Sequence, residues 1–220
     1  SGNEDSKRFK VVNKEGKEIP IALTLQEILS DEEELIGFMA IILNNTQQYQ
    51  LQEMLQHQAT HDSTSGLLNW QEWMRQVQDS KRQILENGQE YHAALLVLNV
   101  DYFESLIHRS KRAGDIAIRK IGSWLLSSTR QMECRANDLI LSHFIGDEFV
   151  IYAPLTSLDG ANTLADRLRT GFQGLNLGTE KNRFHTSFSI GIVAFDSGIS
   201  LHYAMSLALQ ACREAKENGK

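Results

Sequence analysis

What this sequence lacks narrows its role before any motif is read. No apolar run approaches the ~20 residues that a membrane helix requires. The longest, from Leu35 to Leu43, is interrupted by Gly37 and reads as a strand. No signal-peptide pattern opens the chain. Cysteine is scarce: Cys134 and Cys212 stand far apart, outside any zinc-ligand spacing, and read as two reduced thiols of a cytoplasmic protein. Basic residues are outnumbered, 22 Lys and Arg against 28 Asp and Glu, which gives a net charge of −6. That balance argues against nucleic acid as the main partner, because a phosphate backbone is bound by a basic face. A phosphorylated small molecule needs only a few local cations and a metal.

With 220 residues, 41% of them hydrophobic and 23% charged, the chain has the composition of a folded protein with room for one domain and an appendage. The most informative stretch is His143-Phe144-Ile145-Gly146-Asp147-Glu148-Phe149. It is flanked by the apolar runs Leu139-Ile140-Leu141 and Val150-Ile151-Tyr152-Ala153. Two short apolar runs around a Gly-Asp pair predict a β-hairpin. Two acids at its tip, on the rim of a buried sheet, suit a hard cation such as Mg²⁺ and through it a nucleotide phosphate.

The pattern divides the chain in three. Residues 1–46 read as a meander of extended segments, Phe9 to Val12, Ile19 to Leu25 and Leu35 to Leu43, with turn-like joints at Asn13-Lys14-Glu15-Gly16 and Ser30 to Glu34. Residues 47–60 predict a linker helix with a narrow apolar seam of Leu51, Met54 and Leu55 among glutamines. From 61 to 220 helices alternate with strands. Trp70, Trp73, Met74 and Val77 mark one helix, Ala93 to Val100 a buried strand, and Ile116 to Leu126 a second helix. After the hairpin come a helix over Leu158 to Phe172, a strand over Thr186 to Phe195 and a closing helix over Leu201 to Lys216. The fold class is α+β: a mixed sheet flanked by helices behind an N-terminal meander.

The string Ile145 to Phe149 resembles the signature of the GGDEF family, the diguanylate cyclases, with Ile145 in place of the first glycine. Five further segments in order carry the same resemblance: His61 to Asn69, Asn99-Val100-Asp101-Tyr102-Phe103, Ala113-Gly114-Asp115, Ser187 to Ile192, and the closing Ala211 to Lys220, which ends Ala215-Lys216-Glu217-Asn218-Gly219-Lys220. Residues 8–46 resemble the C-terminal strands of a PAS domain. The resemblance implies a nucleotidyl-cyclase-like fold in which two GTP-loaded domains face each other and form cyclic di-GMP. It implies a metal between Asn99, the backbone of Val100 and Asp147, a catalytic Glu148, and nucleotide contacts from Gly146, Asp115, His108, Lys216 and Lys220. Arg135 and Asp138 resemble an R-x-x-D site for product inhibition. Such domains often precede a phosphodiesterase domain of the EAL type.

The family pattern is broken at the chemistry. Asn99 offers a neutral carbonyl oxygen where the family places an anionic carboxylate for the metal. Asp101 has a structural role in the family. At the family's guanine-binding asparagine stand Leu106, Ile107 and His108. Ile145, β-branched, resists the positive φ that glycine permits and fills space where a phosphate would lie. Positioning catalysis loses around a hundredfold for a shift of about 1 Å. The expectation is therefore a degenerate GGDEF domain, weak or inactive as a cyclase, that serves as a regulatory and dimerising module with GTP as its candidate ligand. The alternatives are an active cyclase and a spacer that transmits a signal without nucleotide. A homodimer is expected through residues 8–60, where an incomplete sheet exposes an edge and an apolar face.

Overall fold

Side-chain alternation sets the layers of this protein, and it does so differently at its two ends. In the computed structural model the chain divides into two units, Ser1–Ala59 and Thr60–Lys220. The structure describes residues 6–31, 33–108, 110–130, 139–178 and 183–219.

The first unit is an antiparallel sheet in the order β1 (Ser6–Val12), β2 (Glu18–Leu29), β3 (Leu35–Asn44), followed by helix α1 (Thr46–Thr60). Asn13 closes the first turn, its side chain accepting the backbone N–H of Glu15 at 2.9 Å and of Lys17 at 2.8 Å. Ala22 is the one buried hydrophobic residue among those described here. On β3, Ile36, Phe38 and Ile42 lie on one face and Leu35, Met39, Ile41 and Leu43 on the other, and all are exposed. No residue of α1 is buried. This unit has strands and a helix but almost no core of its own.

The second unit is built around β4 (His92–Val100), in which every residue after His92 is buried. It sits inside a four-stranded sheet of order β5-β6-β4-β7, with β5 (Ile140–Ile145), β6 (Glu148–Pro154) and β7 (Phe188–Asp196). Every pairing of these strands is antiparallel, and an isolated parallel bridge joins Leu68 to Ser142. Ala94, Leu96, Leu98 and Val100 enter a core with α4 (Lys111–Arg130) and α5 (Leu158–Phe172). Ala93, Leu95 and Val97 enter a second core with α2 (Trp70–Glu86) and α6 (Leu201–Asn218). The period of two thus turns one apolar run into a three-layer sandwich. Helix starts are set by side-chain caps: Asn69 accepts the Glu72 N–H at 2.9 Å, Ser157 the Gly160 N–H at 3.2 Å and Ser200 the Tyr203 N–H at 3.2 Å. A short helix α3 (Phe103–Ile107), absent from the sequence pattern, follows β4. Among the described residues no helix is long and apolar enough to cross a membrane.

One glycine fixes how closely α6 lies on β7. A Cβ on Gly191 would stand 2.1 Å from the Ala208 carbonyl oxygen and 2.4 Å from the Cys212 backbone nitrogen. Neither backbone atom can step aside, so any side chain must push the helix off the strand. Gly191→Ala is expected to cost roughly 3 kcal/mol or more, read as a fall in the denaturation midpoint with an unchanged urea slope.

Candidate functional site

The last residues of β4 leave the buried sheet at the point where the β5-β6 hairpin turns and where α6 ends. Val100 donates its backbone N–H to the Asp147 carbonyl at 3.1 Å, which ties the hairpin turn to the end of the central strand. Asn99 lies directly opposite Glu148 on one side and Ser189 on the other. From the last turn of α6, Lys216 donates to Asn99 Oδ1 at 2.5 Å and reaches Asp147 Oδ2 at 3.7 Å. The structure therefore brings Asn99, Val100, Asp147, Glu148 and Lys216 together.

Charge is crowded here. Burial pushes the Glu148 carboxyl above its ordinary range, and the Asp147 carboxylate pushes it further. A hydrogen bond from the Asn99 side chain and the charges of Arg213 and Lys216 act in the opposite direction. Asp101 does not turn to the cluster. Its carboxylate accepts the Ser189 hydroxyl at 2.7 Å and the Ser187 hydroxyl, and its carbonyl accepts the Thr186 hydroxyl at 2.5 Å. It thus bolts the end of β4 to the strand beside it.

The hairpin turn differs from the sequence expectation in one respect. The left-handed residue is Gly146, at φ +59°. Ile145 belongs to β5, is paired with Glu148 and is 65% exposed. Its β-branch meets no backbone penalty. It also lies outside the lining of the adjoining cleft. That cleft, of about 1020 Å³, runs past Asp101, Tyr102, Gly146, Asp147, Ser189 and Lys216. Ile107 lines it, but His108 and Asp115, both exposed, do not. His108 ends α3, with its N–H given to the Glu104 carbonyl. Arg135, Asp138 and Lys220 lie outside the described residues, as does Cys134. Cys212 is buried, its Sγ–H donates to the Ser189 carbonyl at 3.2 Å, and burial pushes its thiol up to about 11.

Sequence reasoning passed over two residues that hold the site. Tyr102, at φ +55°, makes the turn from β4 into α3, a strained conformation for a residue with a side chain. His143 clasps the hairpin from within. Its Nδ1 lies 2.9 Å from Asp62 Oδ1 and its Nε2 lies 3.0 Å from the Gly146 carbonyl. Both partners are acceptors, so the doubly protonated ring makes both bonds, while a neutral ring makes one. Asp62 in turn accepts the Ser65 backbone N–H at 2.7 Å. The segment from His61 to Asn69 is therefore a folded clamp on the hairpin, also held by Ser142 Oγ donating to the Leu68 carbonyl at 2.9 Å. The signal in the sequence was a histidine four residues before the first acid of the turn.

A four-stranded sheet between helices, with an acidic hairpin turn, a basic helix end and a strand end converging beside a cleft, defines a nucleotidyl-cyclase-like domain. The family profile "Diguanylate cyclase, GGDEF domain" matches residues 59–220, and the chain belongs to that family. Among curated proteins it resembles diguanylate cyclase DgcM of Escherichia coli strain K12, 29% identical over 185 residues. That match covers 83% of this chain and 42% of DgcM, so the chain spans less than half of that relative. Among solved structures it resembles the coiled coil and GGDEF domain of DgcB from Caulobacter crescentus, determined with c-di-GMP: TM-score 0.66, 20% identity, 79% of this chain and 89% of that one. It also resembles diguanylate cyclase SiaD from Pseudomonas aeruginosa, determined with its activator SiaC: TM-score 0.64, 21% identity, 80% of this chain and 65% of that one. Both likenesses are of fold.

The Asp62 carboxyl gives a pH test of the clamp. Burial acts to raise its pKa, but the Ser65 and His143 hydrogen bonds outweigh burial and hold it below its ordinary 3.8. A depressed carboxyl stabilises the fold above its unfolded pKa, and that contribution is lost as pH falls through the folded value. Asp62→Asn is expected to cost about 1–3 kcal/mol at pH 7. In urea titrations the gap between the two proteins should close only below 3.8.

Proposed function

We propose that this is the GGDEF domain of a cytoplasmic cyclic di-GMP signalling protein whose cyclase chemistry is impaired, and that it serves as a regulatory, dimerising and nucleotide-responsive module. One observation carries the reading: the strand-end position that shares Lys216 with Asp147 is an asparagine already bonded to that lysine. A hard divalent cation takes anionic oxygens. At the three positions that the family gives to the metal, the donors are one carboxylate, one neutral amide oxygen and the Val100 backbone, with an ammonium among them. This set does not fit Mg²⁺. Without the metal, the phosphates of GTP lose the charge that would hold and polarise them. The adjoining cleft, lined by Gly146, Asp147 and Lys216, is large enough for GTP or a cyclic dinucleotide. The names of the relatives support the signalling context. The expected result is no cyclic di-GMP from GTP and Mg²⁺ by product chromatography. Robust turnover that disappears in Glu148→Gln would make the domain an active cyclase, and absence of any GTP binding would leave a spacer.

The dimer is proposed from exposure in the first unit. Phe38 is 62% exposed, Ile42 63% and Leu51, Met54 and Leu55 near 60% each. Burying one such side chain is worth roughly 1.5–3 kcal/mol, and monomers rarely leave so many uncovered. A second copy presents the same surfaces by two-fold symmetry. Light scattering at micromolar concentration should show a dimer that Phe38→Glu with Ile42→Glu converts to monomer. Persistence of the dimer would place the contact in residues 60–220.

A further inference from the structure

Asn99 stands between a cation and an acid. Its Oδ1 accepts from the Lys216 ammonium at 2.5 Å, and its backbone position lies directly opposite Glu148 across the strand pair, which puts the amide and the carboxyl on one face of the sheet. Lys216 reaches on to Asp147 Oδ2 at 3.7 Å. The cluster thus runs Asp147, Lys216, Asn99, Glu148, joined by an ion pair, a hydrogen bond and a cross-strand pairing in turn. An aspartate at position 99 would satisfy the ammonium but would set a second carboxylate directly opposite Glu148 across the strand pair, where like charges repel. An aspartate would therefore call for a further cation, whereas the asparagine does not.

From this geometry we infer that the Lys216 ammonium is the resident cation of the site: it holds the place between positions 99 and 147 that a divalent metal would take, and Asn99 is its matched partner rather than a damaged metal ligand. The inference rests on the site described above and deepens it. A single fixed charge replaces an exchangeable double one, so the site is complete without metal and is indifferent to metal concentration. Position 99 and the side chain of Lys216 act as one device, and changing either reopens the site to an ion.

Thermal unfolding of the full chain in EDTA and in millimolar Mn²⁺, without nucleotide, tests this. The wild type should melt at the same temperature in both. Asn99→Asp should melt lower than the wild type in EDTA and recover with Mn²⁺, because the metal then offsets the facing carboxylates. Lys216→Met should also gain with Mn²⁺, by about 3 °C once the metal is ten times its Kd. Lys216→Arg, which keeps the charge, should stay silent. Electron paramagnetic resonance of free Mn²⁺ gives the same ranking as affinities and does not depend on melting, and Lys216→Gln replaces the Met variant if that folds poorly. A wild type that gains as much as the variants, or a Lys216→Met protein that remains silent, overturns the inference. Since no nucleotide is present, the outcome is independent of whether the domain makes cyclic di-GMP.

Discussion

Strand β4 must be covered on both faces, and the rest of the second unit follows from that requirement. Eight successive buried residues leave no solvent face, so helices have to pack above and below and strands have to flank both edges. Leu96 and Leu98 enter the core with α4 and α5, while Leu95 and Val97 enter the one with α2 and α6. At its C-terminal end the strand meets a cluster of polar groups, and that end is where Asn99 stands between Glu148 and Ser189. A rigid apolar strand thus delivers one polar side chain to a fixed point. Everything chemical in the domain is arranged around that point.

The arrangement is assembled from segments that share no local pattern. Gly191 lets α6 lie against β7 with backbone atoms nearly in contact, and this close approach brings Lys216 within reach of Asn99 and Asp147. Asp101, held by three hydroxyl groups, keeps the end of β4 from fraying. The hairpin turn, whose acids repel each other, is restrained by His143 and Asp62 from below and by the Val100 N–H from the side. Such crowding costs stability, as the raised Glu148 carboxyl records. A site of this kind persists because its surroundings are over-determined.

The first unit obeys the opposite rule. Its strands register well, from Ser6 against Thr24 to Leu29 against Leu35, yet backbone pairing alone buries little apolar surface. Both faces of β3 stay open. A sheet with two apolar faces and no covering layer is an unfinished sandwich, and the proposed dimer would cover it.

Much of the fold was legible because it rests on periodicity, which local sequence records. The bounds of α5 were read in full from its apolar spacing, and β4 from its unbroken hydrophobic run. The motif segments also gave the family, and with it the expectation that Asn99, Asp147, Glu148 and Lys216 converge. What the sequence determined by itself was thus the longer elements, their order and the residue types at the site, but not the short helix α3. It could not determine the conformation of Ile145, since a hairpin can turn on either residue of the Ile-Gly pair and only the β5-β6 register assigns the left-handed position to Gly146. Nor could it reveal that His143 reaches Asp62, or that the Asn99 amide meets Lys216. Those contacts join residues as much as 117 positions apart, and a chain encodes them only through the packing of layers. Tertiary structure decided them because hydrogen bonds and charges act over a few ångströms, a distance that sequence separation does not measure.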